Sequence, residues 1–315
     1  MRMISRGQLI VVCSTLLAVV VLFSANAFLQ SQRAEVAQEK ALSAARSSVN
    51  AVLESIEAQA RAVANTLVEN RALLSAWSSE DRAATLGILQ PVLDRLRREL
   101  GLGQIVLQDL DFDIFLRTQS PQQFADNIAS LRPGVVSTMA IGEASSGIAW
   151  GKLAGLSVRA IVPASNGDTL LGTVDVGFSF QGDFGEVFKR SFTGVGSTAS
   201  PSNKTQVKIY ARGKGETLDL IISTMENDVP IDRNQLEQSL DTGRIDLTVT
   251  HAGTPWRVSL EPMVGIAGDH LAVVAILQDV SAIRDVAQRD FGIAVMAALL
   301  AIVIGSTFGL IAYRD

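Results

Sequence analysis

Two long apolar runs without a single charge, one near each end, constrain this chain more than any other feature of it. Residues 9–29 read LIVVCSTLLAVVVLFSANAFL, and residues 291–313 read FGIAVMAALLAIVIGSTFGLIAY. Each is long enough to cross a hydrocarbon core of about 30 Å as a helix rising about 1.5 Å per residue. Backbone groups in lipid must find their partners within the segment, so the pattern predicts two membrane-spanning helices. Arg2 and Arg6 precede the first run and place residues 1–8 in the cytoplasm. A second crossing, entered through a juxtamembrane stretch at 282–290, returns the C-terminus to the same side. Everything between is then exported. A rival reading of the first run rests on Ala25-Asn26-Ala27, an A-x-A sequence behind an apolar stretch. Cleavage after Ala27 by a signal peptidase would export the same residues. In the second run, Gly305 and Gly309 stand at the spacing of a G-x-x-x-G helix-pairing motif.

The single cysteine, Cys13, lies inside the first run. The exported portion therefore has no disulfide to rely on and must be held by its core. A net charge of −5 argues against a nucleic-acid partner.

From 31 to 77 there is no Pro or Gly, and apolar residues recur every seven positions. Val49, Ile56 and Val63 form one row; Leu53, Ala60, Leu67 and Leu74 form the other. This predicts one helix over 31–77, about 70 Å long, with an a/d seam. The seam can bury against the chain's own domain or against the same helix of a second subunit, and the heptad rows lean toward a homodimer. A second helix is expected over 80–100, stopped by Gly101-Leu102-Gly103. Strands follow at 104–110 and 112–118, short helices at 121–129 and 134–143, and strands at 146–152, 156–164 and 170–180. Residues 194–205, beginning GVGSTASPSNK, have linker composition. Beyond them the cycle returns, with strands at 206–212 and 218–224, a helix at 232–241, and strands at 244–251, 256–262 and 270–278. The order strand, strand, helix, strand, strand, strand thus occurs twice. The predicted fold is α+β, with two modules at 78–193 and 206–281 carried on one long helix.

Catalytic signatures are missing. His251 and His270 are the only histidines and have no Cys or carboxylate at metal-ligand spacing. Asp109, Asp111 and Asp113 imitate the start of a calcium loop, but Ile114 stands where the sharp turn needs Gly. No phosphate-binding glycine motif or nucleophile elbow occurs. The expectation is a non-enzyme with no cofactor and no metal.

Three arginines stand out in the first module. Arg117 lies in the apolar strand FDIFLRT, Arg159 in LSVRAIVP, and Arg132 before Pro133 in a connection. Strand alternation turns Arg159 to the face opposite Val158 and Ala160. A buried guanidinium without a partner is costly, so each needs a carboxylate nearby. Asp126 and Asp175 are the internal candidates, and an anionic ligand, such as a carboxylate, is the external one. Trp150 and Phe124 are candidate apolar walls of the same pocket.

Three blocks, FLRTQSPQQFADNIASLRPGV at 115–135, GLSVRAIVPASNGDTLLGTVDVGFSF at 155–180 and GTPWRVSLEPMVGIAGDHLAVVAILQDVS at 253–281, resemble the double Cache sensory domains of bacterial chemotaxis receptors, sensor kinases and diguanylate cyclases. The resemblance spans most of 31–281. It implies two PAS-like modules with antiparallel sheets, a membrane-distal first module that binds a small ligand, and a two-pass protein of the bacterial cell membrane. It also implies transmission of the signal to a cytoplasmic signalling protein or domain. Two departures matter: Gln119 occupies a position where relatives often carry His, and no output domain follows Tyr313 within the 315 residues. The competing expectation is a periplasmic scaffold that has the fold and binds no small molecule.

Overall fold

In the computed structural model, the described residues are 6–193, 205–212, 217–225 and 229–311, without the side chains of 6–16, 193, 301 and 304–311. The linker expected at 194–205 therefore falls almost wholly outside the described residues, as do the faces of Gly305 and Gly309.

One helix, α1 (Arg6–Val68), continues without a break from the first apolar run into the heptad region. It does not reach residue 77. Asn70 ends it by capping a separate short helix, α2 (Arg71–Ser78), its side chain accepting from the amides of Ala72 and Leu73, each at 3.1 Å. An Asn side chain competes with the helical ladder for nearby amides, which is why it starts helices better than it continues them. Asp81 repeats the device for α3 (Arg82–Leu100), and Gly101, at φ 77°, closes that helix in the left-handed conformation that glycine adopts most cheaply.

The first module is a five-stranded antiparallel sheet in the order β2-β1-β5-β4-β3, built from β1 (Gln104–Gln108), β2 (Ile114–Arg117), β3 (Ser145–Gly151), β4 (Gly155–Asn166) and β5 (Thr169–Ser179). Helix α4 (Pro133–Ile141) crosses between β2 and β3, and α5 (Asp183–Thr193) follows β5. The second module repeats the plan. Strands β6 (Thr205–Arg212), β7 (Leu218–Ser223), β8 (Ile245–His251), β9 (Thr254–Val264) and β10 (His270–Asp279) form a sheet in the order β7-β6-β10-β9-β8, with α6 (Arg233–Thr242) in the crossover. The corresponding elements take corresponding places, as expected of tandem PAS-like modules. Helix α7 (Ser281–Ile311) leaves β10 and packs beside the start of α1, where Phe23 and Phe291 meet at 5.3 Å.

The main core joins one face of the first sheet, part of the second and the heptad seam of α1. Val49, Ile56, Ala60, Leu67 and Leu74 are buried in it, and Leu53 and Val63 pack against it. The seam is thus covered by the chain's own modules. Among the described residues no helix is long and apolar enough to cross a membrane. The side chains of 9–16 and of most of 301–313, which belong to the two apolar runs, are outside those residues.

The helix expected at 121–129 is instead a run of turns. Ala125 has φ 61°, outside the helical region, and its amide donates to the Ile114 carbonyl at 2.8 Å. Asn127 is drawn to Asp113, 2.9 Å from its side-chain amide. These tertiary bonds override the local helix propensity.

Candidate ligand pocket

Alternation along three strands divides the first sheet into two chemically different faces. Ile105 and Leu107 on β1, Val158, Ala160 and Val162 on β4, and Val174 and Val176 on β5 enter the main core with α1. The residues between them point the other way. Gln104, Val106 and Gln108 from β1, Arg159 and Ile161 from β4, and Asp175 from β5 make a face that is half polar, with Arg117 set opposite Val106 on β2. All of these side chains are shielded from solvent.

Asp175 lies at the centre, fully buried on the middle strand. Arg159 Nη1 donates to both of its oxygens at 3.0 Å, and Arg132 Nη2 donates to Oδ2 at 2.5 Å. Burial alone would raise the Asp175 pKa, but Arg132 and Arg159 outweigh it and hold the carboxyl below its ordinary value. For Arg159 the balance runs the other way. Burial, aided by the charge of Arg132, pulls its guanidinium down to about 10 despite Asp175. Nearer the surface, Arg117 grips Asp126 bidentately at 2.6 and 2.8 Å, and Lys152 adds a contact at 3.1 Å. The hydrogen bond from Arg117 is the main reason that the Asp126 pKa is well below the usual carboxylate range.

Between these two clusters lies a cavity of about 30 Å³, bounded by Gln104, Val106, Gln108, Ile114, Arg117, Gln119, Ile128, Leu131, Arg132, Lys152, Leu153 and Arg159. That volume holds about two water molecules. Three polar atoms at its wall are buried without a partner: Arg159 Nε, Gln104 Nε2 and Gln119 Oε1. Buried polar groups are paired in the great majority of cases, so water or another small polar molecule in the cavity is the natural complement of these three. The backbone makes room for them. A Cβ at Gly177, which faces both Gln104 and Arg159 across the strands, would stand 2.6 Å from Gln104 Nε2.

The structure brings together Arg117, Arg132, Arg159, Asp126 and Asp175, five of the residues singled out in the sequence. It does not bring Trp150 and Phe124 to them. Trp150 is opposite Leu156 on β3 and packs on the α1 face of the sheet. Phe124 is half exposed, its ring 3.3 Å beneath the Arg82 guanidinium. The apolar walls are Val106, Ile114, Ile128, Leu131 and Leu153. Gln104 and Gln108 are not among the residues singled out from the sequence, although their spacing in QIVLQ puts two polar residues on one face of an otherwise apolar strand.

The equivalent face of the second module is closed by its own apolar cluster, with Tyr210, Leu218, Leu236, Trp256, Val258 and Leu277 among its members. Among the described residues no group of three or more His, Cys, Asp or Glu could hold a metal ion. Asp109 uses its carboxylate to accept from the amides of Asp111 and Asp113 at 3.0 and 2.9 Å, the chemistry of a turn.

No curated protein matches this chain. Among solved structures, the ligand-binding domain of the Campylobacter jejuni chemoreceptor Tlp3 in complex with 4-methylisoleucine is similar over 81% of this chain and 94% of its own, with 9% identity and a TM-score of 0.48. The same receptor's sensory domain with isoleucine bound gives 82%, 97%, 10% and 0.48 for the same measures. The sensor domain of the V. cholerae histidine kinase DctB gives 79%, 98%, 12% and 0.47. The profile of the double sensory domain of two-component sensor kinases matches residues 35–283. This chain therefore belongs to the family of double sensory domains of two-component sensor kinases.

Proposed function

We propose that this chain is the sensing part of a two-pass receptor of the bacterial cell membrane, which binds a small anion in the first module and conveys occupancy to a cytoplasmic signalling protein or domain. One observation carries the ligand reading. Four cations, Arg117, Arg132, Lys152 and Arg159, line the cavity, and among the described residues Asp126 and Asp175 are the carboxylates paired with them. Each of the four is in an ion pair, yet together they exceed the two carboxylates by two positive charges, and buried side-chain atoms of Gln104, Gln119 and Arg159 have no partner. A carboxylate entering there gains charge-assisted bonds of about 1.5–3 kcal/mol each.

The membrane reading is supported by the two uncharged runs and by the apposition of α1 with α7. Phe23 meets Phe291, and Gln38 and Arg284 line one groove further along, so the helices run antiparallel as two crossings of one bilayer would. A homodimer belongs to the same reading. Since the α1 seam is covered, a second subunit would have to meet the opposite side of α1, where Glu54, Ala58 and Ala62 are exposed. One observation favours the scaffold alternative: the cavity is too small for anything beyond two waters until Leu131 and Leu153, about half exposed at its mouth, move aside.

Thermal melting of the purified full chain against simple carboxylates separates the two. A ligand at about a hundred times its dissociation constant adds about 2.7 kcal/mol of stability. A raised melting temperature that Arg132→Ala abolishes is the expected result. Melting indifferent to every carboxylate would leave the scaffold.

A further inference from the structure

The charges and hydrogen-bonding atoms of the pocket restrict its occupant further, granting that it is an anion site as proposed above. Each of the two carboxylates is already shared by two cations: Asp175 by Arg132 and Arg159, Asp126 by Arg117 and Lys152. An ammonium group brought in by an amino acid would find neither carboxylate uncommitted. It would also place a third positive charge near the buried pair Arg132 and Arg159, which have Asp175 alone between them. Like charges set side by side in a desolvated site cost several kcal/mol, so this is a strong bias. Among the described lining residues, the one buried side-chain acceptor without a partner is Gln119 Oε1, beside one unpartnered amide donor, Gln104 Nε2. Exchanging the amide ends of both residues still leaves one donor and one acceptor, enough for a hydroxyl and too few for an ammonium.

The excess of two positive charges matches a dianion, and its arrangement separates them. The inner charge belongs to the pair around Asp175; the outer one belongs to Lys152, whose side chain is 55% exposed at the rim. The same cavity also has hydrocarbon in its wall, from Val106, Ile128 and Leu131. We propose that the pocket selects a small dicarboxylic acid without an ammonium group, one carboxylate directed to Arg132 and Arg159 and the other to Lys152. An inorganic dianion would leave that apolar wall without a partner.

Calorimetry on the full chain in detergent tests this with matched probes: succinate against L-aspartate, glutarate against L-glutamate, and inorganic phosphate, propionate and L-isoleucine. The expected result is that at least one diacid binds at least about tenfold tighter than its amino counterpart. Lys152→Gln, at a position too exposed to threaten folding, should weaken the diacid several-fold and leave propionate unchanged. An amino acid that binds as tightly as the diacid overturns the selectivity and leaves the anion pocket standing. Phosphate as the tightest binder overturns the organic character of the ligand. No binding by any probe overturns both this inference and the reading it rests on.

Discussion

Asp175 occupies a position that strand pattern alone would give to a valine, the centre of the middle strand with Val174 and Val176 on either side. A carboxylate is tolerated there because two guanidiniums replace its water. The dependence is mutual, which decides how substitutions will behave. Asp175→Asn strands Arg132 and Arg159 against each other and should cost about 3–5 kcal/mol of folding stability in denaturant titrations. Arg132→Ala should cost less, since Asp175 keeps Arg159. If Asp175→Asn melts like the wild type, the cluster is solvated and the charge argument fails. Acid should act on the same groups. Both aspartates have folded pKa values held below the ordinary one, so their stabilisation is complete above the usual carboxylate pKa of about 3.9 and is lost as pH falls below it. The wild type should therefore lose melting temperature as pH drops from about 5 to about 3, more steeply than Asp126→Asn. The five charged residues were legible because alternation and the need to pair a buried charge are local rules. Trp150 fails as a pocket wall by the same alternation, which turns it with Ile148 to the α1 face. Phe124 lies on a loop whose path depends on contacts with Ile114 and Asp113, and no local rule encodes that path.

At the level of elements, the strands and most helices were readable from period and punctuation, and the exceptions have physical causes. The break between α1 and α2 is marked by one residue, Asn70, inside a pattern whose apolar period runs on through Leu74. Helix α5 is disguised in the sequence by Gly182 and Gly185. Phe180, Phe184, Phe188 and Phe192 recur every fourth residue and meet edge-on or tilted in sequence at 5.3, 6.0 and 5.0 Å. The α1 seam carries the clearest consequence. A heptad row satisfies a partner helix or a sheet equally well, and here the sheets cover it. Single cysteines at Val49, Ile56 and Leu67, in a Cys13→Ser background, should resist a maleimide in the folded protein, while cysteines at Glu54 and Ala58 react freely. Seven-residue cross-linking between subunits along Val49, Ile56 and Leu67 would show that the seam parts from its own modules.

Across the whole molecule, the two modules are joined by more than α1. The turn between β9 and β10 reaches out of the second module and pairs with the edge strand of the first, the Ile266 amide donating to the Ile148 carbonyl at 2.9 Å. The Ile266 side chain then packs with Val106, Ile114, Ile128, Val135 and Ile161, the small apolar cluster on the pocket face of the first sheet. The fit depends on Gly134 in the first turn of α4, where a Cβ would stand 2.9 Å from Ile266 Cγ2. Two residues earlier is Arg132, bound to Asp175 at the cavity. On the proposed reading, a ligand that pulls Arg132 and its backbone inward would shift the start of α4, and with it the seat of Ile266. Since β10 leads into α7, displacement of that turn has a covalent route to the second apolar run. The twofold repeat of the module was readable in the sequence, but this contact was not, because an exposed-looking turn such as GIAGD gives no sign that it docks on another sheet. The route predicts separable effects for Ile266→Ala. Anion affinity of the full chain should stay within about tenfold of wild type, toward the lower end of couplings between sites. The anion-induced change in hydrogen exchange over residues 270–290 should disappear. Gly134→Ala, which crowds Ile266 without touching the cavity, should shift exchange in that stretch even with no anion present. If both variants transmit the anion's effect unchanged, the signal passes along α1 alone, and the Ile266 contact is a structural joint between the modules.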